Sequence, residues 1–429
     1  MSSSADRSNF TRRNFLHWSQ TAMAFLGVAP LLKATEAIAT TPPTAATEDY
    51  YDKLGVAKII NAAGTYTTLT AAVMPPQVRR AVEQAALHPV YLHDLQEASG
   101  AYLAKKLRCE GAMVTSGASG AITLATAACM AFANGSEPGV IPQQAGSMKN
   151  EIIVQRSHRY SYDHAMMLCG AVIREVVTLD DYKRAFNEKT VMTNFFNAAE
   201  EEEGPPAEIG REQWLEIAHQ HNVPCHLDAA ADMPPIENLW RYTGMGFDLV
   251  CFSGGKGIRG PQNAGLLLGK KKLIDLAQEN NNPNGDAVGR GMKVAKEQIV
   301  GMVAAVDWLL EQSDEANMAE YTRRANIIAQ AVKDIPTMQS NIVIPKIANH
   351  VPHLLLKYDP STVGVTVREV QERLRSQKPP IELNPNTGNK PNQGIPSDAN
   401  TLVVGVWMLQ PGESEIVARR LRAALTQKA

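Results

Sequence analysis

One lysine of the chain lies in a glycine-rich segment that directly follows an apolar, strand-like run. Residues 252–262 read Phe-Ser-Gly-Gly-Lys-Gly-Ile-Arg-Gly-Pro-Gln, and the lysine is Lys256. Packing alone does not favour this composition, because glycines lower stability and a lysine brings a charge to the end of the strand. A lysine amine with a shifted pKa can form an imine with an aldehyde, so the segment predicts covalent chemistry at Lys256. A solvated lysine in a flexible turn is the alternative.

Three other short segments suit the binding of a flat, phosphorylated ligand. Residues 115–120 are small and join a strand pattern to a helix pattern, where free backbone N–H groups can hold a phosphate; a plain turn is the alternative. Asp228 is the last residue of an apolar strand pattern, which predicts a position at the carboxyl end of the sheet, where ligands bind. A helix N-cap is the alternative. His158 follows another strand pattern and can place its ring over a ligand, although an isolated histidine is more often structural.

The elements that must position these residues alternate between strand and helix patterns from about residue 50 to residue 280. This alternation predicts an α/β fold, and helical stretches such as 118–133 and 211–220 suit the crossover connections of a parallel sheet. We therefore expect a mostly parallel central sheet of seven strands. The predicted strands are 112–115, 151–155, 172–177, 191–196, 223–228, 249–253 and 265–268.

The chain is predicted to have four consecutive parts. Residues 1–39 are a targeting signal, and residues 40–49 are a linker rich in Thr, Pro and Ala. Residues 50–285 form a large domain with an N-terminal arm. Residues 286–429 form a connecting helix and a smaller C-terminal α+β domain.

The N-terminal part has the features of a twin-arginine export signal. Arg12 and Arg13 precede an apolar run at 22–32, and Ala37-Ile38-Ala39 supplies small residues for cleavage. A short amphipathic helix is the alternative. We expect cleavage after Ala39, export of the folded protein by the twin-arginine machinery and a periplasmic location. Removal of residues 1–39 lowers the formal net charge from −2 to −4.

The order of these groups is that of fold-type-I pyridoxal-phosphate enzymes: a phosphate turn, a histidine, an aspartate and then a lysine 28 residues later. Residues 60–66 (Ile-Asn-Ala-Ala-Gly-Thr-Tyr), 114–118 and above all 253–265 resemble the selenocysteine-synthase-like family. That family includes seryl-tRNA selenium transferase and D-glucosaminate-6-phosphate ammonia-lyase. The resemblance extends from about Tyr50 to the C-terminus. It implies an aspartate aminotransferase-like fold and pyridoxal 5'-phosphate as the cofactor.

The resemblance also implies a role for each candidate residue. Lys256 would bond to the cofactor aldehyde and later transfer the substrate proton, and Asp228 would pair with the pyridine nitrogen. His158 would stack on the ring, and Ser253 would add a hydroxyl near the lysine. The implied cofactor-binding residues are Ser116, Gly117, Ala118, His158, Asp228, Ser253 and Lys256.

The substrate side and the partners follow from the same resemblance. Asn61, Thr65 and Tyr66 would line the substrate side, and a partner subunit would complete each site, so a homodimer or larger homo-oligomer is expected. Arg259 and Arg290 are candidates for binding a substrate carboxylate or phosphate; charge balance on loops is the alternative. The five scattered cysteines lack any C-x-x-C pair, and no metal site is predicted.

The resemblance implies an enzyme that acts on a small amino acid-like substrate. With 42 Lys and Arg against 44 Asp and Glu, the chain has no strong positive field, so no nucleic-acid partner is expected. The predicted reaction removes the α-proton of an amino acid or amino sugar acid and then eliminates a group, as in an ammonia-lyase. Selenium transferase-like, aminotransferase or racemase chemistry, or an inactive exported relative that binds pyridoxal phosphate, are the alternatives. The acidic run 200–203 is predicted to be a solvated turn; facing the site, it would disfavour anionic ligands.

Overall fold

The computed structural model describes residues 48–70, 72–201 and 209–427. The predicted export signal, most of the predicted linker and half of the acidic run, residues 202 and 203, therefore lie outside the described residues. Contacts divide the chain into two units, Met1–Val56 and Ala57–Ala429. In the first unit, one short helix is described, which Asp49 caps by accepting a hydrogen bond of 2.9 Å from the Tyr51 N–H.

The described residues form twelve strands and fourteen α-helices. The strands are β1 (Ile60–Ala62), β2 (Gly111–Thr115), β3 (Glu151–Gln155), β4 (Val172–Val176), β5 (Thr190–Phe196), β6 (Cys225–Asp228), β7 (Leu249–Ser253), β8 (Gly265–Gly269), β9 (Gln339–Val343), β10 (His353–Lys357), β11 (Ile381–Leu383) and β12 (Thr401–Gly405). The α-helices are α1 (Tyr50–Leu54), α2 (Pro76–Ala86), α3 (Leu92–Lys106), α4 (Gly117–Asn134), α5 (His164–Met167), α6 (Leu179–Ala185), α7 (Arg211–Gln220), α8 (Asn238–Met245), α9 (Lys271–Glu279), α10 (Lys296–Leu310), α11 (Asp314–Val332), α12 (Pro360–Val363), α13 (Val367–Arg375) and α14 (Glu413–Thr426).

Seven strands form the central sheet in the order β2-β8-β7-β6-β5-β3-β4. Neighbouring strands from β7 to β4 are parallel, and β8 runs antiparallel to both of its neighbours. All seven strands occur where the sequence pattern predicts them, within two residues. The predicted fold class, with its mostly parallel seven-stranded sheet, is confirmed.

Apolar side chains cover both faces of this sheet, as its mainly apolar strands require. Along β3, Ile153 packs on one face in a core with Phe195 and Trp214, whereas Ile152 packs on the other face with Met192. Helices α4 and α9 contribute to the second core, and α3, α7 and α10 contribute to the first. Helix α4 is long and apolar enough to cross a membrane by composition, but 67% of it is buried inside the fold, which identifies it as a core helix.

A second group of strands and helices forms a separate C-terminal core. Strands β12, β10 and β9 make an antiparallel sheet, and β11 pairs in parallel with β1. Ile60 of β1 is buried in this core together with Leu354, Leu402 and Leu421. Residues 60–62, which the sequence pattern assigned to the large domain, therefore pack in the C-terminal core and connect it to residues 63–67.

Candidate active site

Lys256 lies three residues beyond the end of β7, in a turn whose glycines are required by close packing. A Cβ atom on Gly254 would lie 2.7 Å from the carbonyl oxygen of Ala264. A Cβ atom on Gly257 would lie 2.4 Å from the carbonyl oxygen of Met233. Neither distance is compatible with a side chain, so glycine is needed on both sides of the lysine. The turn thus holds Lys256 against the sheet edge.

The Lys256 side chain borders a cavity of about 520 Å³. Burial lowers the pKa of Lys256, and the nearby carboxyl groups of Asp228 and Asp232 oppose this shift without cancelling it. The Nζ atom has no hydrogen bond with any described residue. A lysine in this environment loses its proton more easily than a free lysine, and the neutral amine is the form that attacks an aldehyde.

Asp228 ends β6, the strand next to β7, and lines the same cavity. Its Oδ1 atom accepts a hydrogen bond of 2.9 Å from the Ala230 N–H and one of 3.5 Å from the Cys251 thiol. Its Oδ2 atom accepts a hydrogen bond from the hydroxyl of Tyr160. These donors fix the carboxylate in the cavity wall, where it can pair with a protonated ring nitrogen.

The structure places His158 in the core and not in the cavity wall. Its ring packs edge-on against Phe195 at 4.4 Å, and its Nδ1 atom accepts a hydrogen bond of 3.3 Å from the Phe196 N–H. Burial lowers the pKa of His158 to about 4, so the ring is neutral. A 3₁₀ turn at Arg156–His158 brings the side chain into the core. The predicted stacking of His158 on a ligand in this cavity therefore does not match its position.

Tyr160, two residues further along, takes the position at the cavity that His158 was predicted to hold. Its ring stacks on Phe196 with the centroids 4.2 Å apart, and both side chains line the cavity. Tyr160 lies two residues after His158 in the segment that follows β3, so the sequence contained the signal. Its direction could not be read there, because it depends on the 3₁₀ turn.

The N-terminus of α4 forms part of the cavity wall. Gly117, Ala118 and Ser119 line the cavity, and no side chain caps the helix at Ser116. The first N–H groups of an uncapped helix suit a phosphate, because the helix dipole adds a partial positive charge there. Ser116 itself does not line the cavity, whereas Ser119, which was not among the predicted residues, does.

A glycine outside the predicted set holds this helix end near the lysine strand. A Cβ atom on Gly265, the first residue of β8, would lie 2.5 Å from the backbone of Gly117. Ser253, which ends β7 beside β8, also lines the cavity, and its hydroxyl has no hydrogen bond with a described residue. The close contact between β8 and the helix end therefore sets the distance from the phosphate turn to the lysine turn.

The predicted substrate residues divide into those that reach the cavity and those that do not. Thr65 and Tyr66 line it. Asn61 instead closes a turn, because its Oδ1 atom accepts hydrogen bonds of 3.0 Å from both the Ala63 and Gly64 N–H groups. Asn61 thus orients the segment that carries Thr65 and Tyr66.

Neither predicted arginine lines the cavity within this chain. The Arg259 guanidinium donates a hydrogen bond of 2.8 Å to the carbonyl oxygen of Trp407, and Arg259 lines a second, smaller cavity. Arg290 is exposed on a loop. Among the described lining residues, Asp228 and Lys256 are the two that carry a formal charge.

Several lining residues come from the C-terminal core and had no signal in the sequence. They are dispersed over loops and strand ends, so only the tertiary fold brings them together. They are Asn349, His353, Asn384, Gln393 and Trp407.

These residues fit pyridoxal phosphate. The uncapped end of α4 suits its phosphate, the unpaired Lys256 amine suits its aldehyde, and the Asp228 carboxylate suits its ring nitrogen.

Comparison with known families decides the assignment of the chain. Residues 59–342 match the family model described as SelA: L-seryl-tRNA selenium transferase. The chain belongs to the SelA family. Membership confirms that it is a pyridoxal-phosphate-dependent enzyme of the lyase or transferase type, as the site residues predict.

Individual relatives within and around the SelA family have different activities. The chain is 27% identical over 388 residues to 5'-C-glycyluridine monooxygenase-decarboxylase of a Streptomyces species, covering 87% of this chain and 92% of the relative. It is 26% identical over 338 residues to D-glucosaminate-6-phosphate ammonia lyase of Salmonella typhimurium, covering 77% and 87%. It is 26% identical over 261 residues to L-seryl-tRNA(Sec) selenium transferase of Aquifex aeolicus, covering 50% and 53%.

Solved structures show the same fold. A structure of D-glucosaminate-6-phosphate ammonia-lyase superposes with a TM-score of 0.74 at 24% identity and covers 88% of this chain and 98% of that one. The cysteine desulfurase CsdA of Escherichia coli superposes with a TM-score of 0.51 at 14% identity and covers 85% and 94%.

Proposed function

We propose that the enzyme removes the α-proton of a small, polar amino acid or amino sugar acid and then eliminates a group from it, with release of ammonia. The observation that carries this proposal is the unpaired, buried Lys256 amine in one cavity with the Asp228 carboxylate. An amine with a lowered pKa is a suitable acceptor for a proton at Cα.

Each residue of the site has a defined task in this proposal. Pyridoxal phosphate, when bound, supplies an electron-withdrawing ring for the electron pair that the Cα–H bond leaves behind. Asp228 holds a proton at the ring nitrogen, and the first turn of α4 holds the phosphate. Lys256 accepts the proton from Cα and can return it to the product. Tyr160 fixes the Asp228 carboxylate through its hydroxyl.

A second candidate is an oxidative decarboxylation of the amino acid. It is favoured by the relative named 5'-C-glycyluridine monooxygenase-decarboxylase, which aligns over 92% of its length. The two candidate reactions differ in what they consume and release. Elimination releases ammonia and retains the carboxylate, whereas the oxidative reaction consumes dioxygen and releases carbon dioxide.

One experiment separates these reactions. The holoenzyme is incubated in D₂O with D-glucosaminate, D-serine or L-serine, and three quantities are followed: deuterium at Cα, free ammonia and dissolved oxygen. We expect deuterium exchange and ammonia release without oxygen uptake, and neither in Lys256→Ala. Oxygen uptake with loss of the carboxylate would favour the second candidate. A complete lack of Cα exchange with every substrate would contradict the proposal and favour the inactive binding relative.

We further propose that the enzyme works as a homodimer or larger homo-oligomer after export to the periplasm. The homo-oligomer follows from the family resemblance, and export follows from Arg12 and Arg13 before the apolar run. Light scattering of the purified protein measures the first property directly. A monomer with full activity would contradict it.

A further inference from the structure

The part of the cavity formed by the C-terminal core contains polar groups that the cofactor chemistry does not use. Tyr66 follows β1, His353 begins β10, and Trp407 follows β12, so these three side chains converge from separate strands. We call this group, together with Asn384, the tail subsite. Its free donors and acceptors define what the end of the substrate must contain.

Trp407 offers a donor. Its indole N–H is buried and has no hydrogen-bond partner among the described residues. A Cβ atom on Gly64 would lie 3.6 Å from this Nε1 atom. Gly64 has a φ of 140°, a backbone conformation that favours glycine. A buried donor without a partner costs about 1–3 kcal/mol, so a ligand oxygen that pairs with this N–H would remove that cost.

His353 offers an acceptor. Its Nδ1 atom lies 2.8 Å from the carbonyl oxygen of Val351, which can only accept, so Nδ1 carries the proton. Burial lowers the pKa of His353 to about 4, which keeps the ring neutral at physiological pH. The second nitrogen, Nε2, then presents a lone pair, and it has no hydrogen bond with a described residue. A ligand group at Nε2 must therefore donate.

Tyr66 offers a second donor. Its hydroxyl oxygen accepts a hydrogen bond of 3.2 Å from the Asn384 amide, which leaves its own proton available. Burial raises the pKa of Tyr66, and the Asn384 hydrogen bond lowers it by less, so the phenol stays protonated. The subsite thus combines two donors with one acceptor and no formal charge.

We propose that the tail subsite binds hydroxyl groups, and that the substrate is an amino acid with an uncharged, polyhydroxylated tail. A hydroxyl both donates and accepts, so neighbouring hydroxyls can pair with Trp407, Tyr66 and His353 at once. A methylene chain would leave the Trp407 N–H without a partner, and a phosphate would face the lone pair of His353. This proposal rests on the proposed function in one respect only, namely that the amino group of the substrate lies at the cofactor.

The test uses ligands without an amine, so that binding is measured without the reaction. The holoenzyme is titrated by calorimetry with D-gluconate, hexanoate and D-gluconate 6-phosphate. We expect D-gluconate to bind at least tenfold more tightly than hexanoate and at least as tightly as the phosphate. Trp407→Phe and Tyr66→Phe should each weaken D-gluconate about tenfold and leave hexanoate unchanged. Trp240→Phe, which lies beside Arg108 outside the cavity, is the matched control and should change neither.

Three results would overturn the proposal. They are equal binding of hexanoate and D-gluconate, binding of the 6-phosphate more than tenfold tighter than D-gluconate, or normal D-gluconate binding in both Trp407→Phe and Tyr66→Phe. The outcome is separate from that of the proposed function. Elimination without D-gluconate binding would refute only the tail subsite, and D-gluconate binding without Cα exchange would refute only the proposed reaction.

Discussion

The Lys256 amine illustrates how a single residue serves chemistry at a cost in stability. Burial lowers its pKa despite the nearby Asp228 and Asp232, so charging it is less favourable in the folded chain than in the unfolded one. Because the pKa of Lys256 is lower in the folded chain than in the unfolded chain, the lysine destabilises the fold by its full amount when the pH is below the folded pKa. This destabilisation disappears as the pH rises to the unfolded value near 10.5.

Lys256→Met should therefore stabilise the cofactor-free protein. Methionine fills a similar volume without a charge, so we expect the melting temperature at pH 7 to rise by about 2–4 °C. The gain should shrink as the pH approaches 10. Differential scanning calorimetry at pH 6, 7, 8 and 9.5 measures it. A constant gain at every pH would show that the charge of Lys256 does not limit stability.

Tyr160 and His158 provide a second test at the residue scale. Tyr160 lines the cavity and bonds to Asp228, whereas His158 packs on Phe195 in the core. Tyr160→Ala should weaken pyridoxal phosphate binding at least tenfold. His158→Asn should leave the affinity within about threefold, although it lowers stability by about 1–3 kcal/mol through the loss of packing. Fluorescence titration of the cofactor-free variants measures both affinities. A larger loss of affinity in His158→Asn would restore histidine as the residue that faces the cofactor.

At the scale of elements, the turn between β7 and β8 determines where the lysine lies. A Cβ atom at Gly257 would lie 2.4 Å from the backbone oxygen of Met233, which belongs to a different segment and cannot rotate away. Gly257→Ala should destabilise the protein by about 1–3 kcal/mol and reduce cofactor incorporation. Gly244→Ala is the control, because Gly244 is exposed in α8 and nothing lies within 4 Å of an added Cβ. We expect that variant to be slightly more stable. Urea unfolding and cofactor absorbance check both, and equal stability of the two variants would contradict the packing argument.

The strands and turns of the fold also show which features the sequence can predict. All seven strands of the central sheet were predicted, because each is a short apolar run bounded by polar or glycine residues. Lys256 and Asp228 were each predicted to lie at the end of an apolar strand, and the family resemblance assigned both to one cofactor site. His158 was predicted to stack on the ligand, whereas in the structure it follows a 3₁₀ turn and packs against Phe195, and periodicity contains no information on such turns.

The substrate side could not be predicted to the same depth. Trp407, His353 and Asn384 are more than 90 residues from Lys256 in the chain, and each looks like an ordinary core or loop residue. Their meeting depends on how β10, β11 and β12 pack against residues 60–66. Arg259 was predicted to bind the substrate because of its charge, but its guanidinium donates a hydrogen bond to the Trp407 carbonyl oxygen.

For the whole molecule, the central proposal beyond the site is export in the folded, cofactor-loaded state. The twin-arginine route transports folded proteins, so a cofactor inserted in the cytoplasm can cross the membrane with its enzyme. Replacement of Arg12 and Arg13 together by Lys should leave uncleaved, active protein in the cytoplasm, whereas the unchanged protein should appear in the periplasm with Thr40 as its first residue. Cell fractionation with N-terminal sequencing measures this. Periplasmic, cleaved protein from the double variant would contradict the proposal and leave the cofactor assignment intact.

The most direct test of the central claim is the identification of the residue that bonds to the cofactor. The purified holoenzyme is treated with borohydride, which reduces a carbon–nitrogen double bond to a stable single bond, and its peptides are then sequenced by mass spectrometry. We predict a yellow protein that loses its visible band on reduction and carries the reduced cofactor on Lys256. A protein that stays colourless with excess pyridoxal phosphate, or that carries the cofactor on another lysine, would contradict the assignment of the active site.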